Sequence, residues 1–258
     1  QHSQPRSSPN RKAILMTYTT ITNTDARQGP PEGTPPIHLI WTDPPYGTGK
    51  RMTGKTGSYK DELATDPIIA GILAWMPSMH PTGTVVICCD YRLAAKATIA
   101  IENYGWVYKG EIIWEFGLGR PRTSWWPVRH NNILTFTRTP TSALGMFDPA
   151  AIPRVKRLAP GKGYPDTKPA GSVWDFTMSN THPDRVGYPN QKPTEIIEPF
   201  ILAHTKKGDL IADPFAGSGS TGAAALKHGR SVLLNDTNPE AITTMRSRLH
   251  NYPELEDY

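Results

Sequence analysis

Two short stretches of this chain carry residues whose types and spacing suit chemistry on a ligand. The first is "TDPPYGTG", Thr42–Gly49, directly after the apolar run Ile37–Trp41. Proline lacks a backbone N–H, so Pro44 and Pro45 end any strand that precedes them. The Asp43 carboxylate and the Pro44 carbonyl are then two acceptors held at a strand end, where open α/β sheets bind ligands. The same residues would also make a plain strand-terminating turn, and the rest of the chain decides between the two.

The second stretch is "DLIADPFAGSGSTGAAALKHG", Asp209–Gly229. An apolar strand ends at Asp213, and Gly217, Gly219 and Gly222 fit G-x-G-x-x-G opening a helix. Asp236, 19 positions after Gly217, closes the next apolar run, "SVLLND". Glycines let backbone approach a ligand closely, and an acid at the second strand end can bind ribose hydroxyls. The spacing by itself suits a nicotinamide dinucleotide or another adenosine cofactor. Thr221 reads as a helix cap, and Asn238 with Pro239 reads as a helix start.

The elements that must position these residues follow from periodicity. Strands are expected at 13–22, 37–43, 84–90, 106–116, 131–138, 172–176, 209–215 and 231–236. Helices are expected at 61–79, 91–103, 194–206, 218–228 and 239–250. Residues 47–60 hold four glycines, four basic residues and no apolar period, which reads as a mobile loop. Residues 139–190 are rich in Pro and Gly with little periodicity, and a loop that long is usually functional. The alternation predicts a mostly parallel sheet covered by helices on both faces, with one antiparallel strand from the uninterrupted pair 106–116 and 130–138.

Composition sets the bounds. With 37% apolar residues, 258 residues make one large domain, expected over 13–258 after a flexible tail at 1–12. No run approaches the roughly 18 apolar residues of a membrane span, and the polar opening has no signal-peptide pattern. A cytoplasmic protein is the expectation. Net charge +5 permits a polyanionic partner without requiring one. Cys88 and Cys89 are neighbours on an expected core strand and point to opposite faces, which reads as inert thiols with no disulfide or metal site.

Taken together, "DPPY" at one strand end and "DPFAGSGST" at another resemble the amino-methyltransferases of DNA. The Asp43 motif comes first and the glycine loop 170 residues later, the order of the circularly permuted β group. "YPNQKPTEIIEPFI" (Tyr188–Ile201) is similar to the family's segment before that loop, with Tyr-Pro-Asn where His-Pro-Thr is usual. "SVWDF" and "HNNILTFTR" also match. The resemblance implies a Rossmann-like class I methyltransferase fold and S-adenosylmethionine as cofactor. It implies direct in-line transfer to the exocyclic amine of a flipped base, as in restriction-modification systems. It assigns Asp43, Pro44, Pro45 and Tyr46 to catalysis: Asp43 and the Pro44 carbonyl would accept both N–H groups of the amine and stabilise the charge that develops on it, the prolines would aim that carbonyl, and Tyr46 would offer a face to the base. It also implies a nucleoid-associated protein. Asp213, Phe215, Ala216, Gly217, Gly219, Asp236, Lys192 and Pro193 are assigned to the cofactor.

For DNA, the candidate contacts are Lys50, Arg51 and Lys55 (with Lys60 nearby), and Arg120, Arg122, Trp125, Trp126 and Arg129. Arginines beside exposed tryptophans suit phosphate contact and base wedging. The basic loop would equally be a solvated surface, and the tryptophans a dimer contact or core. The family's target-recognition insert has its one counterpart in residues 139–190, so recognition is of a short site or is shared with a second copy or partner subunit. Cysteine-based C5 chemistry is set aside, because neither thiol follows a proline. Methylation of RNA or a protein amide, and a non-catalytic DNA-binding relative, are the further alternatives. Through Asp43 at the head of the tetrapeptide, the resemblance implies adenine N6 as the target, with cytosine N4 as the alternative.

Overall fold

The computed structural model describes residues 18–61, 64–117, 126–141, 146–157, 165–179, 181–250 and 255–257. The expected tail at 1–12 lies outside them, as does the first part of the strand expected at 13–22. The central strands in chain order are β1 (Thr19–Thr22), β2 (Ile37–Thr42), β5 (Met79–Cys89), β6 (Val107–Glu115), β7 (His130–Thr137), β10 (Val173–Asp175), β11 (Leu210–Asp213), β12 (Ser231–Asn235) and β13 (Leu255–Asp257). They form one sheet in the order β10-β6-β7-β5-β2-β11-β12-β1-β13. β7 pairs antiparallel with both β5 and β6, and every other pairing in the sheet is parallel. The fold is the expected Rossmann-like α/β sheet with one reversed strand.

Side chains on neighbouring strand positions go to opposite faces. Val86 and Cys88 join one core with Leu39, Trp41, Ile211, Val232 and Leu234. Val85, Ile87 and Cys89 join the other with Ile40, Leu233, Leu134 and Phe136. Helices α1 (Thr65–Trp75) and α2 (Tyr91–Asn103) cover the second face through Ile68, Ile72, Trp75, Leu93, Ala97 and Ile101. Helices α3 (Glu198–His204), α4 (Ser220–Lys227) and α5 (Pro239–Leu249) cover the first. Fully burying each Ile or Leu stabilises the fold by roughly 1.5–3 kcal/mol. The Asp90 side chain caps α2 by accepting from Arg92 N and Leu93 N.

The connections differ from expectation in three places. Residues 51–60 form a hairpin, β3 (Arg51–Thr53) with β4 (Ser58–Lys60), where a mobile loop was expected. Its ladder bonds need no apolar period, and its register is held from outside. Lys55 N donates to Gly187 O (2.7 Å), and Ser58 N to the Glu240 carboxylate (2.5 Å). Within 139–190 a second hairpin pairs β8 (Arg154–Lys156) with β9 (Thr167–Pro169). The helix expected at 194–206 begins as a 3-10 turn, Thr194–Ile196, and becomes α-helical only at Glu198 beside Pro199.

Candidate active site

Parallel strands deliver their ends to one edge of the sheet. β2 and β11 are neighbours, so Asp43 and Asp213 follow or close adjacent strands. The two motifs are joined there by side chains: Thr42 Oγ1 donates to Asp213 Oδ1 (2.7 Å), and Thr221 Oγ1 donates to Asp213 Oδ2 (2.6 Å). Phe215 N also donates to Asp213 Oδ1 (3.1 Å). Burial pushes the Asp213 carboxyl up to about 7, against the pull of those three donors. The native chain therefore keeps a proton between about pH 4 and 7 that the unfolded chain has released. Stability contributed by this group is present below that window and is lost as pH rises through it. Asp213→Asn should flatten the fall in unfolding free energy over that range, read by denaturant titration at several pH values.

The glycine turn after β11 has two left-handed residues, Gly217 (φ 51°) and Gly219 (φ 74°). Gly222 serves packing instead: a Cβ there would lie 2.6 Å from Leu234 Cδ1, so its absence lets α4 lie close on β12. Asp236 Oδ2 accepts from Gly217 N (2.9 Å) and Oδ1 from Asn238 N (2.8 Å). Its carboxylate thus braces the turn as well as facing the space beside it. Asn238 caps α5 as expected, and its Nδ2 also donates to the Tyr188 hydroxyl (3.1 Å).

A cavity of about 360 Å³ opens between the two strand ends. Ala26, Pro67, Pro214 and Phe215 give it apolar walls, and Ala216, Gly217, Asp236, Asp43, Pro45 and Tyr59 also line it. Its size is that of a small-molecule site. Apolar walls for a flat ring system, with a carboxylate where a ribose would lie, fit an adenosine cofactor. Gly219 and Pro193 do not line it; Gly219 caps α4, and Pro193 is buried at the start of the 3-10 turn.

The catalytic candidates form a network. Asp43 Oδ1 accepts from the Tyr46 hydroxyl (2.5 Å), which in turn accepts from Asn131 Nδ2 (3.2 Å). Asp43 Oδ2 is paired with the Lys192 ammonium. Lys192, expected at the cofactor, lines the cavity, and its ammonium pairs with Asp43. Tyr46 packs its ring under that ammonium and is absent from the cavity wall, where Tyr59 stands. Burial and the Asp43 charge push the Tyr46 phenol well up, so it donates as a neutral hydroxyl.

Of the DNA candidates, Lys50, Arg51 and Lys55 are exposed on or beside the first hairpin. Trp126 is 79% exposed, and Arg129 is exposed. Arg120, Arg122 and Trp125 lie outside the described residues. Cys88 and Cys89 are free and buried, with their thiols pushed up by burial.

Sequence reasoning missed Tyr59, Asn131, Asn190 and Asn235. Asn235 is fully buried and clamps the sheet end: its Oδ1 accepts from Thr22 Oγ1 and Thr24 N, and its Nδ2 donates to Thr24 O and Pro214 O. Asn190 is the only described residue other than glycine with positive φ (55°), and it donates to the Tyr59 hydroxyl (3.0 Å). An asparagine inside an apolar strand or next to a proline was the available signal.

No helix among the described residues is long and apolar enough to cross a membrane. Comparison with known proteins agrees with the geometry. The Type II methyltransferase M.HpaI of Haemophilus parainfluenzae is 29% identical over 219 residues, spanning 83% of this chain and 68% of that protein. The DNA adenine methyltransferase YhdJ of Escherichia coli is 27% identical, spanning 83% and 76%. Among solved structures, that of the M1.HpyAVI–SAM complex superposes with a TM-score of 0.62 at 22% identity, covering 90% of this chain and 98% of that one. The N6/N4 DNA methylase family matches residues 37–247, and the chain belongs to that family.

Proposed function

We propose that this DNA methyltransferase transfers a methyl group from S-adenosylmethionine to the N6 amine of adenine. The observation that carries the reading is the hydrogen-bonded junction of the two strand ends, which sets the Asp43 carboxylate beside the glycine-turn cavity. When bound, S-adenosylmethionine supplies an activated methyl group on a sulfonium. Gly217 and Asp236 would hold its ribose and methionine parts, with Phe215 and Pro214 against its flat ring. Asp43 and the Pro44 carbonyl accept the two N–H groups of the amine and stabilise the charge that grows on nitrogen. Alignment is the main remaining task. A base inside a duplex cannot reach Asp43, so it must be extruded.

Cytosine N4 presents almost the same group to the same acceptors. The test is to incubate the protein with cofactor and unmethylated duplex, digest the DNA to nucleosides and weigh the modified one. N6-methyladenine is expected; N4-methylcytosine with no methyladenine would replace the adenine assignment and leave the role of Asp43 standing.

DNA is held by exposed basic segments. Residues 153–170 contain five Lys or Arg and one Asp. The β8–β9 hairpin is exposed along β8, and a two-stranded ribbon fits the major groove. Arg154 is tied to Thr167 across the ribbon, which leaves Lys156 and Lys168 for phosphates. Lys156→Gln with Lys168→Gln should flatten the plot of log affinity against log salt by about 0.9 per lost contact. An unchanged slope in fluorescence-anisotropy titrations would take the ribbon off the DNA.

A further inference from the structure

We infer that Lys192 is a positioning residue for Asp43: it holds the carboxylate ionised and oriented, and gives up its oxygen to the incoming amine. This rests on the reading of Asp43 as the acceptor for that amine. The Lys192 backbone is fixed by Ser220 Oγ, which donates to Lys192 O (2.7 Å) at the start of α4. From there the side chain reaches across to the end of β2. It is only 10% exposed, and the Asp43 side chain 19%. An ammonium has three N–H donors and no acceptor. One goes to Asp43 Oδ2 and another toward Asn190 O (3.4 Å), and the charge lies 5.7 Å from the centre of the Tyr46 ring. Two of the three donors thus have partners within the protein, and Lys192 also lines the cavity.

The groups that feel the Asp43 charge are Tyr46 on its own turn, Tyr59 on β4, Cys88 and Cys89 on β5, Asp213 on β11, and Lys192. Burial pushes the two phenols and two thiols up and keeps them neutral. Asp213 can only oppose a second negative charge. Lys192 is the one cation of the set. Burial works against its charge, but the Asp43 carboxylate outweighs it and the ammonium's pKa is raised. Lys60 lines the same cavity with an exposed side chain.

A cation left on Oδ2 would oppose the positive charge that forms on the attacking nitrogen. An amine N–H that takes the place of the Lys192 N–H at that oxygen moves the ammonium away and weakens the opposition as the substrate seats, with Asn190 O still accepting from Lys192. The arrangement holds the carboxylate in place between Tyr46 and Lys192 until the substrate takes its oxygen.

The test compares Lys192→Met and Lys192→Arg with the natural protein. The acidic limb of kcat/KM should move up by one to three pH units in Lys192→Met, the size of shift expected when a carboxylate loses a cationic neighbour. It should stay in place in Lys192→Arg, and cofactor affinity by calorimetry should stay within threefold in both. A second readout needs no turnover: the 13C-labelled carboxyl of Asp43, assigned with Asp43→Asn, should titrate higher in Lys192→Met by the same amount. If Lys192→Met does not fold, Lys192→Gln takes its place. An unmoved carboxyl titration, or a cofactor affinity that falls more than tenfold, overturns the inference. If Asp43→Ala remains active, the acceptor reading fails instead, whatever the carboxyl titration shows.

Discussion

Asp43→Ala is expected to lower methyl transfer at least 10²- to 10³-fold while the cofactor still binds. Removing a single preorganised group that stabilises developing charge costs about 3–4 kcal/mol in comparable sites. Asp43 lines the cavity, and its two oxygens are held by Tyr46 and Lys192. Neither bond is to the glycine turn, so the cofactor side should be spared. The variant also leaves the Lys192 ammonium buried without its partner. Breaking such a pair costs about 3–5 kcal/mol of stability, so the unfolding temperature should fall, and turnover must be measured well below it. Calorimetric titration with cofactor and single-turnover transfer to duplex DNA give the two numbers. Near-normal turnover would remove Asp43 from the chemistry.

Asp236→Ala should act in the opposite order, with cofactor affinity falling first. A charge-assisted hydrogen bond to a ribose hydroxyl is worth roughly 1.5–3 kcal/mol, or about tenfold to a hundredfold in Kd. The loss should exceed that of a simple contact, because the same carboxylate accepts from Gly217 N and Asn238 N and so shapes the turn. Burial holds its pKa above the usual carboxylate range. Affinity is read by calorimetry, and turnover at saturating cofactor should recover more fully than affinity does. An unchanged affinity would mean the ribose lies elsewhere.

The strands of the sheet were legible because burial on both faces writes itself as short apolar runs, as in Ile37–Trp41 and Ser231–Asn235. Both strand-end motifs were legible because proline and glycine restrict the backbone in ways that few alternatives share. The hairpin at 51–60 was not, since its register is imposed by Gly187 and Glu240, more than 120 residues away. Gly54 shows the same dependence: a Cβ there would lie 2.2 Å from Gly187 O, a closeness that only the folded chain reveals. The partner of Lys192 was equally hidden. A lysine before a proline carries no local sign that its ammonium will meet an acid 149 residues earlier.

The sheet order also dictates when the site comes into being. β2 pairs with β11, and β1 with β12, across most of the length of the chain. During synthesis the ribosome releases β2 long before either partner exists, and its apolar face must wait without them. Pairings this distant in sequence impose a large loop-closure cost and slow folding. β2 can first pair with β5, which β7 and β6 extend, and that half sheet holds Asp43 with no cavity beside it. The cavity closes only when β11 docks on the exposed edge of β2 and β12 on β11. A nascent or truncated chain that stops before Asp236 would therefore carry its acceptor and lack its cofactor pocket, and remain inert until the last third of the polypeptide has emerged.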